Sequence, residues 1–255
     1  MNRTGLVIVL AVAALVGVLF AWHPEWDLAI SRLFYDADKH TFPLISVRSL
    51  YRLRDAAQWV VAAIAAPAAL ALAVKLVAPR RRMLMPARAV VFLLGTLIIG
   101  PGLLVNVTLK DYWPRSRPID VPQLGGEETF TPWWDPRGGC AKNCSAVAGE
   151  ASGAFWTLAP AALMPPQWRP LAYAGAIAFG AAVGALRIAF GGHFFTDVVF
   201  AGVLVFLVVW IMHGIIYRWR TKPSDEALER ALEFASPSAW LTWWRARERG
   251  SGGRS

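Results

Sequence analysis

Leu186-Arg187-Ile188-Ala189-Phe190-Gly191-Gly192-His193-Phe194-Phe195-Thr196-Asp197 joins two apolar runs through a pair of glycines and carries an arginine, a histidine and a carboxylate. Asp197 lies four residues after His193. If the second run is helical through both, their side chains stand one turn apart on one face, where a carboxylate can hold an imidazole. That is the arrangement of an oriented nucleophile or base. A histidine at the end of a membrane helix can also be purely structural, so the rest of the chain has to decide.

Of the 255 residues, 56% are hydrophobic and 17% charged, and the mean hydropathy is +0.43. That is too apolar for a soluble globular domain, and it predicts an all-α integral membrane protein. Six runs approach the about 20 residues a spanning helix needs, at 4–22, 56–78, 88–109, 147–164, 171–188 and 194–216. The first run follows Arg3 like a signal peptide. Its apolar core exceeds the usual length of about 7 to 15 residues and its end, Leu19-Phe20-Ala21-Trp22, lacks a small residue for cleavage, so it is expected to stay as an anchor. Pro67 is tolerable inside the second run, and Lys75 is near enough its end to snorkel.

With six spans, Arg3, Arg80-Arg81-Arg82 with Arg88, Arg169, and Arg218 with Arg220 and Lys222 all fall on one side. The positive-inside rule makes that side cytoplasmic, with both termini inside. These loops account for much of the +9 net charge, so no nucleic-acid partner is needed. Trp22, Trp113, Trp168 and Trp219 sit at span ends, where interfacial tryptophans belong. Three connections then face outward, at 23–55, 110–146 and 188–193. In the first, Trp26, Ile30, Leu33 and Phe34 are spaced for an amphipathic helix on the membrane surface, a scaffold or lid. Residues 1–222 form one domain. The tail, 223–255, opens with Ser224 as N-cap of a short helix with Ala227, Leu228, Ala231 and Leu232 as its apolar stripe. It continues into Trp240, Trp243 and Trp244 with Arg245, Arg247 and Arg249, either a membrane-surface attachment or a disordered end. The two cysteines, Cys140 and Cys144, both lie in the second outward loop, where an oxidising compartment permits a disulfide. No His pair or further Cys is near enough in sequence to complete a zinc site.

The second outward loop begins Lys110-Asp111-Tyr112-Trp113-Pro114-Arg115-Ser116-Arg117-Pro118. Cations where a span leaves the membrane are costly without an anion to meet, and either a lipid headgroup or a bound phosphate supplies one. Farther on, Ser145-Ala146-Val147-Ala148-Gly149-Glu150-Ala151-Ser152 leads into the fourth run. A glycine at a helix start exposes amides and the positive dipole end to an anion. All three segments emerge on one face, so Lys110, Arg117 and Arg187 with that helix start can bind a tetrahedral dianion, with His193 placed to attack phosphorus.

Lys110-x6-Arg117-Pro118, the helix start at Gly149, and Arg187-x5-His193-x3-Asp197 resemble the three signatures of the type 2 phosphatidic acid phosphatase superfamily. The motifs span residues 110–197 within a family core of about 56–216. The resemblance implies a six-helix membrane bundle that needs no metal or other cofactor. It makes His193 the nucleophile that forms a phosphohistidine, Asp197 its orienting partner, and Lys110, Arg117 and Arg187 the phosphate clamp. Where the family usually carries Pro-Ser-Gly-His, this chain has Val147-Ala148-Gly149-Glu150. Ala148 lacks a hydroxyl to donate to phosphate. Glu150 replaces the histidine that protonates the leaving group, and it is either a carboxyl raised enough to serve as general acid or a counter-charge to the arginines. The Gly-Glu form is similar to bacterial members that act on lipid A or related lipid phosphates. The resemblance therefore implies a phosphatase of a lipid A-type substrate at the periplasmic face of a bacterial inner membrane. Phosphatidylglycerophosphate, phosphatidate and undecaprenyl (di)phosphate are alternative substrates. A lipid phosphotransferase, or a phosphate-lipid binder with weak turnover, are alternative functions.

Overall fold

The computed structural model describes residues 1–235, so Trp240, Trp243, Trp244 and the arginines among them lie outside the described residues. The chain runs through α1 (Arg3–Trp22), α2 (Glu25–Arg32), α3 (Arg48–Val77), α4 (Ala87–Tyr112), α5 (Gly149–Phe155), α6 (Leu158–Leu163), α7 (Arg169–Ala189), α8 (Phe195–Arg218) and α9 (Asp225–Phe234). Among the described residues, five helices, α1, α3, α4, α7 and α8, are long and apolar enough to cross a membrane. The all-α membrane fold is as expected, but the fourth run, 147–164, is not one continuous helix: it is broken into the two short helices α5 and α6. Pro160 explains the break. It has no amide to offer the Trp156 carbonyl, which accepts from Ala159 N at 2.8 Å, while Thr157 directs its amide and hydroxyl onto the Ala154 carbonyl at 3.1 and 2.7 Å.

The chain divides into two compact units. The first comprises residues 1–62 and 96–211 and holds every residue of the expected site. Within it, α4 widens to π-type turns over Ile98–Leu109 around Pro101, the usual response to a missing amide and a ring in the way. Side chains meet the carbonyls this displaces: Asn106 Nδ2 donates to Pro101 O at 2.7 Å and Thr108 Oγ1 to Leu103 O at 3.0 Å. Helices α5 and α7 pack closely because Gly180 leaves room for the Phe155 ring, and Ala57, Ala154 and Val183 form a small core beside them.

The first outward segment is more than a surface strap. Trp26 and Leu33 are exposed, as a membrane-surface helix requires, but the opposite face of α2 buries Asp27, Leu28 and Ser31. Leu28 and Phe42 join Val121, Leu124 and Phe194 in one apolar cluster, so this segment packs directly against the residue after His193.

Among the described residues, the second unit comprises 63–95 and 212–235. Lys75 does not snorkel. It is 1% exposed, and its Nζ donates to Glu229 at 2.8 Å, Glu233 at 2.7 Å and the Arg81 carbonyl at 3.0 Å. Glu229 also accepts the Met83 amide at 3.0 Å, and Asp225 accepts that of Arg88 at 2.9 Å. Ser224 caps α9 by accepting the Ala227 amide at 3.1 Å, as the sequence predicts.

Candidate functional site

The turn before α8 sets His193. Gly191 has φ +65°, and any side chain there would run into the Phe42 ring, so glycine is needed on both counts. His193 is buried, with Nδ1 2.9 Å from the Ser145 carbonyl oxygen. A carbonyl can only accept, so Nδ1 carries the hydrogen and Nε2 is left with a free lone pair. Burial pushes the imidazole well below its ordinary value of 6.5, and Arg187, Lys110 and Arg117 add to that by opposing a further positive charge. The ring is therefore neutral at pH 7 and able to act as a nucleophile.

The three cations reach this place from three segments. Lys110 sits at the foot of the widened part of α4, facing the start of α5. A Cβ on Gly149 would strike Asn106 Oδ1 and lie 2.9 Å from Lys110 Nζ, so a side chain there would have to push both groups aside, and glycine lets that ammonium close on the helix start. The Arg187 guanidinium covers Gly192 in the same way, with a Cβ there only 2.8 Å from Cζ. Arg117 donates to the Asn143 carbonyl at 2.7 Å. Backbone ties hold the segments in register: Cys144 N to Lys110 O at 3.0 Å, Ser145 N to Arg115 O at 2.8 Å, Ile119 N to Gly191 O at 3.0 Å and Ala148 N to Asp197 O at 3.2 Å. Cys140 and Cys144 are joined as a disulfide at the start of this strap. Val147, just before α5, has φ +59°. That is a strained conformation for a β-branched residue, costing on the order of 1–3 kcal/mol, and it persists only where neighbours impose it.

Glu150 is not free to face a leaving group. Arg54 Nε lies 3.0 Å from both of its carboxylate oxygens, Arg54 Nη2 donates to one of them, and Arg187 Nε is 3.2 Å from Oε2. The last contact is an ion pair by distance but lacks hydrogen-bond geometry, since Arg187 Nε is a buried donor without a hydrogen-bond partner in the structure. Of the two expected roles, this geometry supports the counter-charge. The sequence reading missed Arg54, which it placed in a loop, whereas α3 begins at Arg48.

Asp197 departs from its expected role as the partner of His193. The helix starts at Phe195, so His193 precedes it and the four-residue spacing does not put the two side chains on one helical face. Asp197 instead occupies the third helical position and reaches back to accept the Phe194 amide at 2.9 Å, half of a capping box. It also accepts the Ser145 hydroxyl and Arg115 Nη1, both at 2.6 Å. Arg115 is wholly buried. It also donates to Asp27 at 2.7 Å, to Thr196 Oγ1 at 2.8 Å and to the Thr131 carbonyl at 3.1 Å, with its guanidinium 4.4 Å from the Phe194 ring centroid. Asp27 accepts the amide and hydroxyl of Thr196 at 3.1 and 2.6 Å. Two carboxylates thus cap α8, bridged by one arginine. Asp197 is linked to His193 by way of Ser145, whose hydroxyl it accepts and whose carbonyl accepts from the imidazole.

Ala148 is fully buried as the N-cap of α5, with no side-chain hydrogen bond. Neighbouring hydroxyls do not replace the missing donor: Ser145 donates to Asp197 and Ser152 to the Gly149 carbonyl at 2.6 Å. A serine at 148 would add one charge-assisted hydrogen bond to a bound phosphate, of about 1.5–3 kcal/mol. Ala148→Ser is accordingly expected to raise turnover of a phosphate monoester by about tenfold or more, since about 1.36 kcal/mol is a factor of ten. Side-by-side phosphate release checks this, with Ser145→Ala and Ser152→Ala as controls. An unchanged rate in Ala148→Ser together with a large loss in either control would show that the hydroxyl comes from elsewhere.

The sequence profile of the PAP2 superfamily matches residues 89–221, slightly more than half of the chain and all three motif segments. A lipid A 4'-phosphatase of Francisella tularensis subsp. novicida (strain U112) is 41% identical over 132 residues, which is 51% of this chain and 60% of that protein. A lipid A 4'-phosphatase of Rhizobium leguminosarum is 43% identical over 117 residues, 46% of this chain and 50% of that protein. The chain spans about half the length of the curated relatives it matches. No solved structure matches it.

Proposed function

The chain belongs to the PAP2 superfamily, and from that premise we propose that it is a membrane lipid phosphatase that hydrolyses a phosphate monoester of a lipid A-type substrate at the periplasmic face through a phosphohistidine. The observation that carries the reading is a buried, neutral His193 whose Nδ1 is tied to the Ser145 carbonyl, with Lys110, Arg117 and Arg187 near enough to oppose a positive charge on it. The cations and the amides at the start of α5 would receive the phosphoryl oxygens. Nε2 then attacks phosphorus in line as the ester P–O bond breaks, and the departing alkoxide takes up a proton from solvent water. In the second displacement water attacks phosphorus, the P–N bond breaks, the electron pair returns to Nε2, and phosphate leaves with the excess proton going to solvent. The charge that develops on the equatorial oxygens is met by groups already in place, which is where phosphoryl transfer gains most. The names of the relatives favour lipid A among lipid monoesters. Arginine-rich span ends favour cytoplasmic termini with the site on the far side.

Release of inorganic phosphate from a lipid A-type substrate by the purified protein, with the product lipid identified by mass spectrometry, tests the reading. Release from no lipid monoester would overturn it.

Glu150 serves in this scheme to hold Arg54 and Arg187 rather than to deliver a proton. Glu150→Gln is expected to lower kcat/KM by about tenfold or more for alkyl and aryl phosphates alike. A general acid matters chiefly for the poor alkyl leaving group. A loss confined to alkyl substrates would return Glu150 to the acid role.

A further inference from the structure

Beside the phosphate clamp lies a second cavity of about 410 Å³, lined by Arg117, Ile119, Asp120, Glu128, Lys142 and Asn143 among others. That volume is within the range of about 300–1,000 Å³ usual for small-molecule sites. Its walls are the turn after Arg117 and the loop closed by the Cys140–Cys144 bond. The Glu128 amide donates to the Asp120 carbonyl at 2.7 Å and the Asp120 amide to the Arg117 carbonyl at 3.0 Å, so the backbone of all three residues is tied together along this wall. Glu128 Oε2 is buried without a hydrogen-bond partner in the structure. Burial pushes the Asp120 carboxyl up, and Glu128 adds to the shift.

We propose that this cavity is a headgroup subsite for a sugar ring bearing the phosphate that Arg117 and the other cations hold. The inference rests on the phosphatase reading above and extends it to the residues that seat the substrate's headgroup. Arg117 is common to both places: it lines the cavity and also acts on His193 and Lys110. A phosphate held by Arg117 therefore has its ester substituent within reach of the cavity. The wall chemistry selects the substituent. An acyl or isoprenyl chain would desolvate Asp120, Glu128 and Lys142 without returning a hydrogen bond, which is costly. Hydroxyl and amide groups on a sugar both donate and accept, so one ring can donate to the carboxylates and accept from Lys142. Glu128 Oε2 lacks such a donor in the structure. Glycerol phosphates carry too few hydroxyls to use both walls.

Two measurements test this on Asp120→Asn/Glu128→Gln and the parent, both as full-length protein. The first is the ratio of kcat/KM for a phosphorylated glucosamine glycolipid to that for p-nitrophenyl phosphate. It is expected to fall by about tenfold or more, the discrimination expected when hydrogen bonds to charged groups are lost. A ratio within about twofold of the parent's would overturn the subsite. The second is calorimetric titration with a glucosamine-derived phosphonate against methylphosphonate, neither of which can be hydrolysed. The parent is expected to bind the sugar phosphonate at least about tenfold tighter, and the double variant to lose that preference. Because this arm needs no turnover, it judges the subsite even if the protein releases phosphate from nothing. Equal affinities in the parent, or a preference abolished by a chelator, would overturn the proposal, the latter by assigning the carboxylates to a cation.

Discussion

Replacing His193 with alanine is expected to abolish turnover, lowering kcat/KM by about 100-fold or more while a lipid phosphate still binds. The expectation follows from the geometry around the ring. The Ser145 carbonyl fixes the hydrogen on Nδ1 at 2.9 Å, and three cations act on a buried imidazole. The neutral form is therefore favoured, and it persists as pH falls through 6.5 because the folded ring binds its proton only below that value. Alanine keeps the three cations and removes the nitrogen proposed to form the P–N bond. Covalent and acid–base groups matter by about 100-fold or more, so residual activity within about tenfold of the parent would remove His193 from the nucleophile's place. Rapid acid-free quenching with 32P-labelled substrate gives an independent readout. The parent should carry acid-labile label, and His193→Ala none.

Arg115→Met is expected to destabilise the protein by about 3–5 kcal/mol, the range for removing one partner of a buried ionic group. Arg115, Asp27 and Asp197 are buried together, with charged contacts of 2.7 and 2.6 Å. Without the guanidinium, two carboxylates face each other with only Thr196, Ser145 and backbone amides to hold them. At about 2–4 °C per kcal/mol for a chain of this size, the loss corresponds to a fall in melting temperature of roughly 6–20 °C in detergent. Adding Asp27→Asn and Asp197→Asn to Arg115→Met removes the stranded charges and should restore part of the difference. Melting of Arg115→Met within about 2 °C of the parent would show that the cluster does not hold α8 in place.

Membrane spans and motif cations were legible because each has a local signature. A long apolar run announces a helix, and a cation at its end asks for an anion. Asp197 was misread because its spacing to His193 has meaning only if the helix includes both, and the Gly191-Gly192 turn delays the helix to Phe195. Arg115 and Asp27 were invisible as partners. They stand 88 residues apart, and Arg115, between Pro114 and Ser116, looks like one more loop cation. Arg54 was hidden by a boundary: its helix starts at Arg48, before the apolar run does. Pro160 was visible, but whether a proline breaks a run or is accommodated, as Pro67 and Pro101 are, depends on how neighbouring groups satisfy the carbonyls around it, which composition does not carry.

The wide turns of α4 separate two properties that an ordinary helix would couple. An α-helix rotates by about 100° per residue, so the azimuth of Lys110 relative to Leu97, in the same unit, is set by how many residues the intervening turns absorb. Between Ile98 and Leu109 those turns take up more chain than α-helical ones, with Asn106 and Thr108 covering the displaced carbonyls. Deleting one residue there would let the segment tighten towards ordinary α-helix and still cross an apolar layer. Lys110 would then be re-aimed relative to Leu97. The stretch works as a phase adjuster: the composition of the helix determines whether it crosses, and the local winding determines which way its terminal ammonium points.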